Sequence, residues 1–251
     1  MLLTVDVGNT NTVLGLFDRD VLFESYRIKT DPRVTADELA LMFRGLLDAH
    51  SVPDGVAVCS TVPSVLDELR RMFAKYFADV PTVVVGPGTR TGVPLLYDNP
   101  REVGPDRIVN TLAAHTLYGG PAVVVDFGTS TNFDVVSAKG EFLGGALAPG
   151  IEISVDALAA RAARLFKVEL VEPRSVIGKT TVEALQSGLL YGFAGQVDGM
   201  VRRIGVELGA RPVVLANGGL SHLMFRVCET LDHHEPDLTL VGLRLVYERN
   251  T

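Results

Sequence analysis

Two short stretches of this chain offer the same set of chemical groups. Asp6-Val7-Gly8-Asn9-Thr10-Asn11-Thr12 returns as Asp126-Phe127-Gly128-Thr129-Ser130-Thr131-Asn132, offset by 120 residues. A tight glycine turn of this kind presents backbone N–H groups and hydroxyl or amide donors to an anion. The carboxylate beside it suits a cation. One such motif would read as an ordinary hairpin turn, since Asp and Gly are common turn residues. A turn, however, does not need Thr10, Asn11, Thr129, Ser130 and Thr131 all offering polar hydrogens, and it need not occur twice. The repetition points to two related lobes that grip one phosphate chain and its metal.

The elements that would hold these groups are legible around them. Each copy follows an apolar run, Leu2-Leu3-Thr4-Val5 or Ala122-Val123-Val124-Val125, and runs into a second β-like stretch, Val13 to Phe17 or Phe133 to Val136. Strands are expected at 2–7, 12–18 and 21–29. Thr35-Ala36-Asp37-Glu38 is a capping box that opens a helix to about His50, with Leu39, Met42, Phe43, Leu46 and Leu47 on one face. A buried strand at 55–59, a helix from Pro63 to about Phe77 and a strand at 82–86 follow. Residues 87–100 read as an irregular loop and 107–118 as a helix. Gly119-Gly120-Pro121 is the best boundary signal, which predicts lobes at 1–118 and 119–251. In the second lobe a third strand is expected at 141–147, a helix from after Gly150 to about Phe166, a helix at 181–208 and a strand at 213–216. The mix of meander and βαβ elements predicts an α/β fold with mixed sheets and helices against them.

Composition narrows the classes. The chain has 251 residues, 47% hydrophobic and 21% charged, with a net charge of −7. That is ordinary for a globular protein, and without a Lys/Arg cluster it argues against a nucleic-acid surface. Two cysteines, Cys59 and Cys228, give no disulfide framework and fit a reducing compartment. No apolar run approaches the roughly 20 residues of a membrane span, and the first residues read as a strand rather than a signal peptide. A cytoplasmic protein is expected. The five histidines lack ligand spacing, and His233-His234 reads as a polar surface pair rather than a metal site.

Further motifs give the pattern a family. Gly104-Pro105-Asp106-Arg107 stands before the mid-chain helix. Gly144-Gly145-Ala146-Leu147-Ala148-Pro149-Gly150 closes the third strand of the second lobe. Gly178-Lys179-Thr180-Thr181, then Ser187-Gly188, leads into the long helix, and Ala216-Asn217-Gly218-Gly219 follows a late strand. The two phosphate turns resemble those of the acetate and sugar kinase, heat-shock chaperone and actin superfamily, and Ala216-Asn217-Gly218-Gly219 resembles its adenosine motif. That resemblance implies two related ribonuclease H-like lobes, each with a five-stranded mixed sheet and helices, with ATP in the cleft between them. The ordered set over nearly the whole chain resembles type III pantothenate kinase. Pro105, Thr180 and Ser130-Thr131-Asn132 depart from the family's usual residues there, and none of these changes removes a carboxylate that the chemistry needs.

The resemblance assigns roles. It implies transfer of the ATP γ-phosphoryl group to pantothenate, giving 4′-phosphopantothenate, the first step of coenzyme A biosynthesis. Asp6, Val7, Gly8, Asn9, Thr10, Asn11, Thr12, Val13 and Thr129 would bind ATP. Asp6 would hold Mg²⁺, and Asp126 a monovalent cation, K⁺ or NH₄⁺. Asp106 is expected to be the general base, with a helix N-cap as the competing reading. Arg107 suits the acceptor's carboxylate, against a solvated surface arginine. Tyr97, Gly104, Pro105 and Thr181 would complete the acceptor site, against loop packing for Tyr97 and a helix cap for Thr181. The family is homodimeric, so Thr181 would serve a neighbouring subunit. Two other classes fit less well: a different small-molecule kinase or polyphosphate hydrolase of the same fold, and a non-enzymatic transcription accessory factor. The intact Asp6, Asp106 and Asp126 count against the latter, as does the lack of a basic segment.

Overall fold

The computed structural model describes residues 1–48, 50, 52–161 and 167–251. The chain divides into two compact units. The first comprises Met1–Val93, Asp98–Ala113 and Leu238–Thr251, and the second Pro94–Tyr97 with Ala114–Asp237. The division falls inside the mid-chain helix rather than at Gly119, and the last helix joins the first unit.

The first unit contains β1 (Leu2–Val7), β2 (Asn11–Asp18), β3 (Val21–Lys29), α1 (Ala36–Leu47), β4 (Gly55–Ser60), α2 (Pro63–Tyr76) and β5 (Thr82–Val84). Its sheet order is β3-β2-β1-β4-β5. β1 runs antiparallel to β2 and parallel to β4. The expected capping box forms: Thr35 Oγ1 accepts from the Glu38 N–H, and the Thr35 N–H donates to Glu38. Leu39, Phe43 and Leu47 of α1 and Val65, Leu69, Met72 and Phe73 of α2 bury against Leu3, Val5, Val7, Leu14 and Leu16. Each such side chain contributes about 1.5–3 kcal/mol of burial. Odd residues of β1 face this core, so alternation turns Thr4 and Asp6 to the opposite face.

The connection between the units is α3 (Pro105–Tyr118). Pro105 is its first helical residue, where a missing N–H costs nothing and a fixed φ helps. The Gly104 carbonyl accepts from the N–H groups of Arg107 at 3.1 Å and Ile108 at 3.3 Å. The departure from the family at 105 therefore suits its place in the helix.

The second unit repeats the plan with β6 (Ala122–Phe127), β7 (Ser130–Val136), β8 (Phe142–Pro149), α4 (Ile151–Arg161), α5 (Thr181–Leu208), β9 (Val213–Asn217), α6 (Ser221–Met224) and β10 (His233–His234). Its sheet order, β8-β7-β6-β9-β10, is the first order over again. α5 has the expected bounds, capped by Thr180 and closed by Gly209 at φ +65°. The expected helix after Gly150 is seen to Arg161; its continuation to 166 lies outside the described residues. Val123, Val125, Phe127 and Phe133 pack with Ile151 and Val155 of α4 and Leu190, Ala194, Val197 and Val201 of α5.

α7 (Leu238–Asn250) returns to the first unit and packs on β1, β4 and β2. It covers the Asp6 face of that sheet. Neither this helix nor β10 is among the elements expected from the sequence. Among the described residues no helix is long and apolar enough to cross a membrane.

Candidate functional site

Strand register places the first carboxylate. Asp6 pairs with Val13 on β2 and with Cys59 on β4, and Val7 pairs with Thr12. Four residues, Gly8 to Asn11, therefore form the turn, closed by the Gly8 N–H donating to the Asn11 carbonyl at 3.0 Å. Asn9 and Thr10 are exposed at its tip, where a ligand can reach their donors. Thr12 is buried beneath, its hydroxyl 2.9 Å from that of Thr30. Val13 is half-buried in β2 behind the turn.

The second turn is one residue shorter. Asp126 pairs with Asn132 and Phe127 with Thr131, leaving Gly128, Thr129 and Ser130, with the Gly128 N–H donating to the Ser130 carbonyl at 3.0 Å. The constant sequence offset thus holds to the glycine and then slips by one position. Gly128 and Thr129 are exposed, as Asn9 and Thr10 are. The Gly150 N–H donates to the Thr129 carbonyl at 3.0 Å. A Cβ on Gly150 would stand 2.4 Å from the Gly128 and Thr129 carbonyl oxygens. Gly218, at φ +93°, approaches from the other side; its Cβ would stand 2.4 Å from Asp126 Oδ1. Both glycines are there because backbone closes on the turn from two sides.

Electrostatics in the first unit centre on two carboxylates. Burial pushes the Asp6 carboxyl up to about 7, and the charge of Asp106 adds to this. The Cys59 thiol, which donates to Asp6 Oδ1 at 3.2 Å, and the charge of Arg27 act the other way. Cys59 is fully buried, and burial raises its own thiol well above the ordinary range, with Asp6 and Asp106 contributing. Burial also raises Asp106, opposed by the Arg107 N–H and guanidinium.

Asp106 is the second residue of α3, so it lies in the first turn and is not the N-cap. Its Oδ1 is shut off from solvent and has no hydrogen-bond partner among the described residues. A buried carboxylate oxygen without a donor is costly unless a ligand supplies one. Arg107 is buried, so the solvated-surface reading of it does not hold.

Tyr97 packs in the second unit, its ring 5.9 Å from that of Phe142 and 3.3 Å from where a Gly144 Cβ would be. Thr181 is exposed, and the cap of α5 is Thr180. His233 and His234 are not a surface pair. They form β10, His233 stacking on Tyr118 at 4.2 Å and His234 Nε2 lying 2.9 Å from Ser221 Oγ. Among the described residues no three His, Cys, Asp or Glu side chains gather as a metal cluster.

Sequence reading missed Cys59 and Arg27 as neighbours of Asp6. Their proximity comes from pairing register, for which no local motif exists. It also missed that Gly218 abuts Asp126.

Two five-stranded sheets of the same strand order, each with such a turn, define the two-lobed fold of the actin-like ATPase class. Solved structures support the fold. A protein described as of the Baf family, from Campylobacter jejuni, superposes with TM-score 0.64 at 18% identity, covering 99% of this chain and 98% of that one. Component A of (R)-2-hydroxyglutaryl-CoA dehydratase from Acidaminococcus fermentans gives TM-score 0.57 at 11% identity, covering 98% and 96%. A family model described as type III pantothenate kinase matches residues 2–203. Proteins named type III pantothenate kinase from Frankia alni and Acidothermus cellulolyticus are 68% and 65% identical to it, over 100% of this chain and 100% and 99% of theirs. The chain belongs to the type III pantothenate kinase family. It is a kinase, with ATP as phosphoryl donor.

Proposed function

We propose that this chain transfers the γ-phosphoryl group of ATP to the primary hydroxyl of pantothenate, with Asp106 as general base. The observation that carries the assignment is Asp106 Oδ1, an acceptor held out of water without a donor. An alcohol O–H entering the site would supply the missing hydrogen. As the oxygen attacks phosphorus, its proton passes to the carboxylate, whose raised proton affinity favours that transfer. The adjacent Arg107 is assigned to the carboxylate at the acceptor's other end, which its planar fork would match.

The Gly8–Asn11 and Gly128–Ser130 turns are assigned to the phosphates, with Thr129 among their donors. Two neighbouring carboxylates, one of them raised to about 7, form a negative site with a charge deficit that a divalent cation would fill. The residues fit Mg²⁺, which takes one or two carboxylates and keeps several waters and phosphate oxygens. Asp6 would hold it, and bound there it would neutralise charge on the phosphates. Asp126, packed against the Gly218 backbone, is assigned to a monovalent cation. Full activity in a Na⁺ buffer stripped of K⁺ and NH₄⁺ would refute that assignment.

Tyr97, Gly104 and Pro105 are assigned to the acceptor pocket. Thr181 is assigned to the acceptor site of a second subunit in a homodimer. It is exposed beside exposed Val176, Ile177 and Val182, an apolar surface that a partner subunit would cover. The test of the function is ADP release by the purified protein with and without pantothenate. ADP release that pantothenate does not stimulate would refute the reading.

A further inference from the structure

The Asp6 face of the first sheet carries a cation that the assignments above do not use. Register links Cys59 to Asp6, Asp6 to Val13, and Val13 to Arg27. These four residues form one row across β4, β1, β2 and β3, and residues in register on neighbouring strands project from the same side. Strands lie about 4.8 Å apart, so the Arg27 backbone is roughly 10 Å from that of Asp6. A long guanidinium side chain covers much of that gap, and Val13 is the residue between the two in the row. The charge of Arg27 is felt at Asp6, where it opposes Asp106. Arg27 is exposed on the edge strand, and among the described residues no carboxylate forms an ion pair with it.

A transferring phosphoryl group spreads negative charge over three oxygens, and a divalent cation bridging the phosphates leaves part of it unbalanced. Arg107 follows Asp106 directly and belongs with the acceptor. Arg27 stands in the row of Asp6, which lies on β1 two residues before the first phosphate turn. We propose that the Arg27 guanidinium contacts the terminal phosphate of the nucleotide held at the Gly8–Asn11 turn, and so distinguishes a nucleoside triphosphate from a diphosphate. This rests on the assignment of that turn to the phosphates.

The experiment compares equilibrium binding of ATP and ADP, each with Mg²⁺, to wild type, Arg27→Gln, Arg27→Lys and Asp6→Asn, with turnover measured on each. We expect Arg27→Gln to weaken ATP binding about 10- to 100-fold with ADP changed by no more than about two-fold, and Arg27→Lys to fall between. A merely structural arginine would not separate the two nucleotides. Equal losses for ATP and ADP, or no loss for either, would overturn the inference. If Asp6→Asn abolishes turnover while Arg27→Gln binds ATP as wild type does, only the role of Arg27 falls. If Asp6→Asn turns over and binds like wild type, the donor-site assignment falls and the inference with it.

Discussion

Cys59 donates its thiol hydrogen to Asp6 Oδ1 at 3.2 Å, along the parallel pairing of β4 with β1. The bond fixes one oxygen of the carboxylate. It also lowers the proton affinity of Asp6, against burial and the charge of Asp106. A thiol is a weak donor, so the carboxyl remains high.

Cys59→Ala should therefore push Asp6 higher still. We expect the acidic limb of the kcat/KM profile for Mg·ATP to move to higher pH, with a stability loss of only about 1 kcal/mol from the small cavity. Cys59→Ser keeps a donor and should stay near wild type. Coincident profiles for the Ala variant and wild type would mean that the contact is packing alone.

Asp6 itself predicts a pH dependence of stability. Its carboxyl rises from 3.8 to about 7 on folding, so the folded state holds its proton more tightly than the unfolded state. The benefit is complete below about pH 4 and is lost as pH climbs through about 7, where ionised Asp6 is a cost. Asp6→Asn should stabilise the ligand-free protein at pH 8 and do little at pH 4. The ceiling is about 4 kcal/mol, reduced by the solvent that reaches the carboxylate. The same variant should lose nearly all turnover. Melting curves at the two pH values check the sign.

Asp106→Asn should separate base from scaffold. Asn fills the same space, but it cannot take the hydroxyl proton. The expected loss in kcat is on the order of 10²- to 10⁴-fold, with the melting temperature unchanged or raised, since a buried carboxylate is removed. A variant keeping more than about a tenth of wild-type kcat would move the base role elsewhere.

Gly218→Ala should fail for a steric reason. Its Cβ would sit 2.4 Å from Asp126 Oδ1 and 2.7 Å from the Phe127 N and O atoms, at a φ of +93° that a side chain resists. We expect a destabilisation of about 2–3 kcal/mol and a larger loss in ATP affinity. Gly188→Ala, in open space on α5, should leave the protein as stable as wild type or more so. Similar melting temperatures for both variants would count against the close approach.

The duplicated plan could be read from the repeated turns because each turn needs strands on both sides. The bounds of α5 were legible, but its cap was not: the expected cap was Thr181, and the side chain that caps the helix is that of Thr180. Register was not legible. It depends on which strands meet, so Cys59 and Arg27 stayed unconnected to Asp6, and the shorter second turn was hidden by a constant offset. α7 was missed for a related reason. Gly242 weakens its helical pattern, yet a Cβ there would stand 2.2 Å from the Val109 carbonyl oxygen. The residue that obscures the helix is the one that lets it pack on α3. Asp106 reads in the sequence as a base or a cap, and the start of α3 at Pro105 removes the cap reading.

The return of α7 to β1, β4 and β2 also bears on the order in which the molecule is made. Every strand of the first sheet has been synthesised by Val84, but the helix that covers its Asp6 face begins at Leu238. Until then that face has no cover from α7, with Gly15 awaiting Leu240 and Gly55 awaiting Tyr247. The second unit is essentially continuous from Ala114 to Asp237 and can close on itself as it leaves the ribosome. The unit that starts first thus finishes last, and the part of its sheet around Thr4 and Gly15 is not covered until the final helix docks.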